Sequence, residues 1–327
     1  MEWFEIARAL GAETLTFDKA CSAIGPLFAR VFSKKPHLGS SIGAFLRRSE
    51  FDTIYITAEG LGIRLAPLLR IAGWSGRIVM VVHACISTKR KLAFKALGHS
   101  HFAKLVCVSE ETRRILVDEV GFPSEKVVFH PNWVDTQFFS VALLEDKASS
   151  PEPDYVFSCG LENRDYITLT RAASTLPYPF KIVASGFLGR YGATAEISAA
   201  NVTVHEARVS YLELRRLYAK CRFVVVPLNP VRYAAGVTGL VEAMSMGKAV
   251  VVTASPGINE YVEHGVSGLV VRPYDPDDLA RAISELWDHP ERCEEMGRRN
   301  RAWVESHAAL EGYVRQVEGF MAGSPSG

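Results

Sequence analysis

Residues 223–273 read FVVVPLNPVRYAAGVTGLVEAMSMGKAVVVTASPGINEYVEHGVSGLVVRP. The run from Phe223 to Pro227 is apolar, β-branched and too short for a buried helix, so it reads as a strand covered on both faces. Small residues follow (Ala234, Ala235, Gly236, Gly239) and open a helix that carries Glu242. Gly247 ends that helix in a left-handed cap, and Ala249 to Thr253 is a second apolar strand. Gly268 to Val271 is a third. Strands spaced by helix-length segments predict βαβ units and a parallel sheet.

The same alternation extends outward in both directions. Ile54 to Thr57, Arg77 to Val82, Leu105 to Val108 and Val127 to His130 read as strands of a first half; Tyr155 to Ser158 and Lys181 to Ala184 begin a second. The chain of 327 residues has room for two α/β domains. Between the halves, Asp146 to Asp154 replaces the apolar pattern with Pro, Ser and charge, as an exposed connection does. The expected organisation is an N-terminal Rossmann-like domain over 1–145 and a C-terminal one over 154–304. A last helical segment, 305–327, either closes the second domain or returns to the first. Pro276 to Trp287 and Pro290 to Val317 read as the closing helices, with YDPDDL (Tyr274 to Leu279) as a helix N-cap.

Composition narrows the function classes. Hydrophobic residues are 48% and charged residues 22% of the chain, which implies a packed core. A net charge of +1 argues against a whole-surface grip on nucleic acid. Cys21, Cys85, Cys107, Cys159, Cys221 and Cys293 are scattered without a CxxC pair, so they read as reduced thiols and not as a metal site. The N-terminus lacks the basic and apolar regions of a secretory signal, and no apolar run is long enough to span a bilayer. A cytoplasmic protein is expected.

The chemistry concentrates at the start of the Glu242 helix. Glycine lets backbone N–H groups approach an anion, and a helix N-terminus offers unpaired donors and the positive end of a dipole. Gly236, Val237, Thr238 and Gly239 can therefore cradle a diphosphate, with the Thr238 hydroxyl as a further donor. Glu242, one turn on, can accept both hydroxyls of a ribose. The plain alternative is a well-made αβ unit with Glu242 solvated.

The order of these features, continued by PGINEYVEHGVSGLVVRPYDPDDLARAI and HPERCEEMGRRNR, resembles the C-terminal domain of glycosyltransferase family 4 over about Tyr155 to Val304. VCVSEETRRIL and GFPSEKVVFHPNWVDTQFF resemble the end of that family's N-terminal domain. The resemblance implies the GT-B fold, two Rossmann-like domains with parallel sheets facing across a cleft. It also implies a retaining, metal-independent transferase that uses a nucleoside-diphosphate sugar as co-substrate and needs no cofactor. Glu242 matches the second glutamate of the family's E-x7-E motif, which holds the nucleotide ribose. The first falls at Ala234, a departure where the donor sugar is usually held. The family's diphosphate-neutralising Arg and Lys are also missing from their usual place, where this chain has CGLENRDYITL. Arg164, at a strand-to-helix turn, is the natural substitute, because a guanidinium chelates phosphate oxygens as a fork; a surface ion pair with a neighbouring carboxylate is the competing reading. Arg232, before the glycines, is a second candidate cation or else a solvated loop charge.

The acceptor, a glycan, lipid-linked or small molecule, is expected at the N-terminal domain. His83 ends the strand RIVMVVH, where a group titrating near neutrality could orient an acceptor hydroxyl; a buried core histidine is the alternative. Glu59 is similarly placed in ITAEGLGI. Lys89, Arg90, Lys91, Lys95 and Lys104, interleaved with Leu92, Phe94, Leu97 and Phe102, fit either an anionic membrane surface at 89–104 or a solvated helix over the core. The family's opening strand and Gly-rich loop are absent or degenerate before Glu5 to Phe17. A degenerate GT-B protein that binds a nucleotide sugar, or scaffolds a glycan pathway without catalysis, is the main alternative, and Ala234 is its support.

Overall fold

The computed structural model describes residues 2–143, 154–184, 199–205 and 209–322. The chain divides into two compact units, Met1–Pro131 together with Glu311–Gly327, and Asn132–Leu310.

In the first unit, β1 (Thr53–Ile56), β2 (Arg77–Val82), β3 (Phe102–Cys107) and β4 (Val127–Phe129) form a parallel sheet in sequential order. Four helices precede it: α1 (Glu2–Ala9), α2 (Phe17–Ile24), α3 (Pro26–Phe32) and α4 (Pro36–Leu46). The crossovers are α5 (Glu59–Ile71), α6 (Thr88–Leu97) and α7 (Glu110–Arg114). With helices on the sheet faces, β2 is buried from Ile78 to Val82, which is why its sequence is continuously apolar. Phe94 and Leu97 of α6 and Phe102 of β3 belong to this core, so of the apolar residues interleaved with lysines only Leu92 remains exposed. The final helix, α13 (Leu310–Ala322), packs here: Tyr313 and Tyr55 share a hydroxyl hydrogen bond of 2.7 Å, and Arg77 donates to the Met321 carbonyl at 2.9 Å.

The second unit has β5 (Val156–Cys159), β6 (Phe180–Val183), β7 (Val202–His205), β8 (Phe223–Val226), β9 (Val250–Thr253) and β10 (Gly268–Val271). All pairs are parallel, in the order β10-β9-β8-β5-β6-β7. Its helices include α8 (Tyr166–Ser174), α9 (Tyr211–Lys220), α10 (Val237–Ser245), α11 (Pro276–Asp288) and α12 (Pro290–His307). Strand periodicity divides β8 between two cores. Phe223 and Val225 join Leu169, Ile182 and Ile283 on one face; Val224 and Val226 join Tyr218, Leu240 and Met244 on the other. Each such side chain contributes about 1.5–3 kcal/mol on burial. Asp275 caps α11 by accepting from the Asp278 N–H at 2.8 Å.

The units divide at Pro131, well before the Pro- and Ser-rich connection at 146–154, most of which lies outside the described residues. Hydrogen bonds explain the difference. Val134 donates to Ala308 and accepts from Leu310, while Arg301 of α12 donates to the carbonyls of Thr136 (3.0 Å) and Phe139 (2.8 Å). The Phe139 ring is buried in the second core. Residues 132–139 therefore fold with the second unit, although their sequence continues the first. The second crossing, Leu310 to Glu311, likewise falls after residue 304.

Candidate active site

In the second sheet β8 lies beside β5, so the connections leaving these two neighbouring strands diverge, the arrangement at which open α/β sheets bind ligands. The loop after β5 carries Gly160 to Asp165 and the loop after β8 runs from Pro227 to Gly236. Backbone bonds tie them together: Asp165 N–H to Pro227 O at 3.1 Å and Asn229 N–H to Asn163 O at 2.9 Å. Tyr233 adds a side-chain tie, donating to Glu162 Oε1 at 2.9 Å and accepting from the Asn163 amide.

Between the loops lies the Arg164 side chain, only 5% exposed. Its Nε donates to Cys159 O at 3.0 Å and its Nη1 to Glu162 O at 3.1 Å, and it makes no ion pair among the described residues. The surface pairing with Asp165 that the sequence left open is not formed; Asp165 instead caps α8 through the Thr168 N–H. Two glycines make room for the guanidinium, and a third, Gly239, borders it at ordinary contact distance. A Cβ at Gly160 would overlap Nη2, one at Gly236 would lie 2.9 Å from Nη1, and one at Gly239 would lie 3.6 Å from Nη2. Gly236 has a φ of +85°, the left-handed region open to glycine, and it starts α10 without any side-chain cap. A buried cation thus sits at the positive end of a helix. Both sources of potential favour an anion, and although the Glu242 carboxylate lies near enough to feel the Arg164 charge, it makes no direct ion pair with it. Thr238 is exposed in the first turn of α10, while Val237 is buried.

One turn further, Glu242 is 7% exposed. Burial pushes its carboxyl up to about 7, against the opposing effects of the Tyr218 hydrogen bond and the Arg164 charge. Tyr218 Oη donates to Glu242 Oε2 at 3.0 Å; the Gly239 carbonyl at 3.2 Å and Cys159 Sγ at 3.0 Å also surround it. Among the described residues no hydrogen bond reaches Glu242 Oε1. Arg232 lies exposed in the loop before Gly236, and Ala234 packs against the core at the expected position of the missing glutamate. Nothing local in the sequence marks Tyr218: it lies on α9, before β8, and meets Glu242 only by packing.

In the first unit His83 is the residue just after β2 instead of its last, and it is exposed, not buried. Its Nε2 is 3.2 Å from Thr57 O. Glu59, at the start of α5, is 6% exposed. One of its oxygens accepts the His83 N–H at 3.1 Å and the other pairs with Arg90 at 3.1 Å. Its carboxylate braces the His83 backbone instead of standing open. Among the described residues no cluster of three or more His, Cys, Asp or Glu could hold a metal ion, and no helix is long and apolar enough to cross a membrane.

Solved structures with this architecture define the class. The chain aligns with HepE of Anabaena, solved with UDP and glucose, over 91% of its own length and 84% of that chain (TM-score 0.71, 18% identity). Sucrose-phosphate synthase of Thermosynechococcus elongatus aligns over 87% and 78% (TM-score 0.70, 17% identity). The fold is thus the two-domain GT-B fold of glycosyltransferases, with a Rossmann-like parallel sheet in each domain. Residues 17–138 match Glycosyltransferase Family 4 and residues 168–289 match Glycosyl transferases group 1, so each half of the chain matches a domain of the family-4 glycosyltransferases. Among curated relatives, the D-rhamnosyltransferase WbpZ of Pseudomonas aeruginosa is 33% identical over 129 residues, 37% of this chain and 32% of that protein. A D-inositol 3-phosphate glycosyltransferase of Paenarthrobacter aurescens is 30% identical over 129 residues, 37% and 31%. In these matches the chain spans about a third of the length of the relatives.

Proposed function

We propose that the chain transfers a sugar from a nucleoside-diphosphate sugar to a hydroxyl of a glycan, lipid-linked or small-molecule acceptor, with retention at the anomeric carbon. One observation carries the reading: a buried guanidinium with no direct ion pair among the described residues, packed against Gly160 and Gly236, at the start of α10, which has no side-chain cap. Departure of the diphosphate concentrates negative charge on its outer phosphate. Arg164 and the N–H groups of Val237, Thr238 and Gly239 stabilise that charge without reorganising, so they lower the barrier and do more than hold the ground state. Glu242 takes the ribose hydroxyls through its open oxygen. Arg232 lies in the same loop and is assigned to the outer phosphate or the sugar. His83, with its backbone fixed by Glu59, orients the acceptor hydroxyl.

Thermal melting against UDP, GDP, ADP and their sugars tests the assignment. One nucleotide series should raise the melting temperature, and the matching sugar nucleotide should release free nucleoside diphosphate when acceptor is present. A melting shift without release, in the presence of a cell's full acceptor pool, favours the second reading, a nucleotide-sugar-binding scaffold. Ala234, in place of a carboxylate, is the observation behind that reading.

We further propose a peripheral, electrostatic contact of residues 89–104 with an anionic membrane, the alternative being a solvated helix over the core. Between Gly60 and Ser109 the sequence contains no Asp or Glu and eight Lys or Arg. Lys89, Leu92 and Lys95 are exposed on α6, whereas Lys91 is paired with Glu119. Binding to anionic vesicles that disappears at ~0.5 M salt is the expected result, since the Debye length there is only a few ångströms.

A further inference from the structure

Tyr218 is a buried titratable group that the proposed reaction does not use. Its ring is fully buried between Phe139 and Phe157, with edge-to-face centroid distances of 6.1 and 5.1 Å. A phenol hydroxyl has one proton to give, yet three polar groups surround this one: Glu242 Oε2, the Gly239 carbonyl and Cys159 Sγ. Burial holds the Cys159 thiol up at about 12, so it keeps its proton and serves as a donor to the Tyr218 oxygen. A single chain of donors then satisfies the cluster: Cys159 S–H to Tyr218 O, and Tyr218 O–H to Glu242 Oε2.

We propose that Tyr218 is a positioning residue for nucleotide recognition: backed by the Cys159 thiol, its hydroxyl holds one oxygen of Glu242 so that the other is presented to the ribose hydroxyls of the ligand. This rests on the reading of Glu242 as the ribose-binding group. The physical need is clear from the surroundings. A glutamate side chain has three rotatable torsions, and a carboxylate buried to this degree without a donor would be both mobile and protonated near neutral pH. The groups facing Glu242 among the described residues are the Tyr218 hydroxyl from α9, the Arg164 guanidinium from the loop after β5, and, behind Tyr218, Cys159. Both Tyr218 and Arg164 favour the ionised carboxylate, the form that accepts from a ribose. Of the two, only Tyr218 has a direct hydrogen bond to it.

The test uses the full chain and measures Kd for UDP, GDP and ADP, and for their 2′,3′-dideoxy counterparts, from pH 5.5 to 9. In the wild type the preference for the ribonucleotide should fade as pH drops through the Glu242 titration. Tyr218→Phe should reduce that preference at least threefold at pH 7, shift its midpoint upward by at least half a unit, and recover only in part near pH 9, where the carboxylate is ionised but no longer held. Substituting 3-fluorotyrosine at 218, a stronger donor of nearly the same shape, should shift the midpoint downward, and it covers the case in which the phenylalanine variant does not fold. A midpoint unmoved in the fluorotyrosine protein, or a Tyr218→Phe loss equal at pH 7 and pH 9, overturns the inference. Glu242→Gln separates the two levels. If that variant keeps the full ribose preference, or if none of the nucleotides binds, the reading of Glu242 fails first and takes the inference with it.

Discussion

Replacing Arg164 with methionine gives the sharpest perturbation, because it should leave the free protein almost unchanged while weakening the ligand-bound one. In the free protein the guanidinium is buried beside a helix N-terminus with two carbonyl hydrogen bonds and no ion pair among the described residues. Those bonds contribute about 1.5–3 kcal/mol each, while the desolvation of a buried cation costs several kcal/mol, so the two nearly cancel. The free variant should therefore melt close to the wild type. With nucleoside diphosphate at about 100 times Kd, the wild type gains about 2.7 kcal/mol, which is ~5–10 °C for a unit of this size. Losing one charge-assisted phosphate contact of about 2 kcal/mol raises Kd roughly 30-fold. The same ligand concentration is then about 3 Kd, and the stabilisation falls to about 0.8 kcal/mol, or ~2–3 °C. Turnover should fall further, by about 100- to 1000-fold in kcat, because the contact strengthens as charge develops on the leaving group. Differential scanning fluorimetry with and without nucleotide, alongside a coupled diphosphate-release assay, reads both quantities. A variant with the full ligand-induced shift and near-normal turnover would refute the reasoning, whatever its free stability.

Glu242→Gln should stabilise the free protein at pH 8 by on the order of 2 kcal/mol, with the gain vanishing below about pH 5. The sign follows from the raised carboxyl: between the unfolded value near 4.5 and the folded value near 7 the folded state binds more protons, so the wild type loses stability as pH rises through that window. Gly236→Ala should cost about 1 kcal/mol or more in stability for its φ of +85°, and should weaken nucleotide binding as the new methyl crowds the Arg164 fork; melting and titration calorimetry check the two effects. His83→Ala should lower kcat by about 100-fold with donor affinity unchanged, measured by steady-state kinetics and nucleotide titration, and equal losses in both would remove His83 from the acceptor role. Glu59→Gln should lower kcat less and destabilise the first unit, since Arg90 would lose its buried partner.

Much of the second unit could be read directly from residue order, because a strand buried on both faces is forced into a run such as FVVV or VVVT and leaves little else for those residues to be. β7 escaped that logic. Residues 202–205, VTVH, form the outermost strand of the sheet, half-exposed, so polar Thr203 and His205 are tolerated and no continuous apolar run appears. The geometry behind the proposed donor end was legible for a related reason: Gly236 and Glu242 sit at the start of and along one short helix, where spacing is geometry. Arg164 could be placed at the same site from its position after a strand. Tyr218 and Gly160 could not, since their roles exist only once α9 and the β5 loop have packed around the guanidinium and the carboxylate. Residues 132–139 show the converse limit. Composition marks where a chain is solvated, whereas the seam between units is set by what Arg301 and Phe139 hold.

Gly297 on α12 lies against the turn at Gly247 that closes α10, so tightly that a methyl group there would overlap the Gly247 carbonyl. Asn300, one turn along, clamps the same turn by donating to Lys248 O at 2.9 Å and Ser267 O at 2.8 Å. The helix presenting Glu242 therefore rests on an unyielding floor. A single added carbon at residue 297 would lift that floor, and a rigid rod pushed from below transmits the displacement to its upper end, where the nucleotide is proposed to sit. The proposed nucleotide grip thus depends on a buried helix contact at residue 297, on the far end of α10 from Gly236.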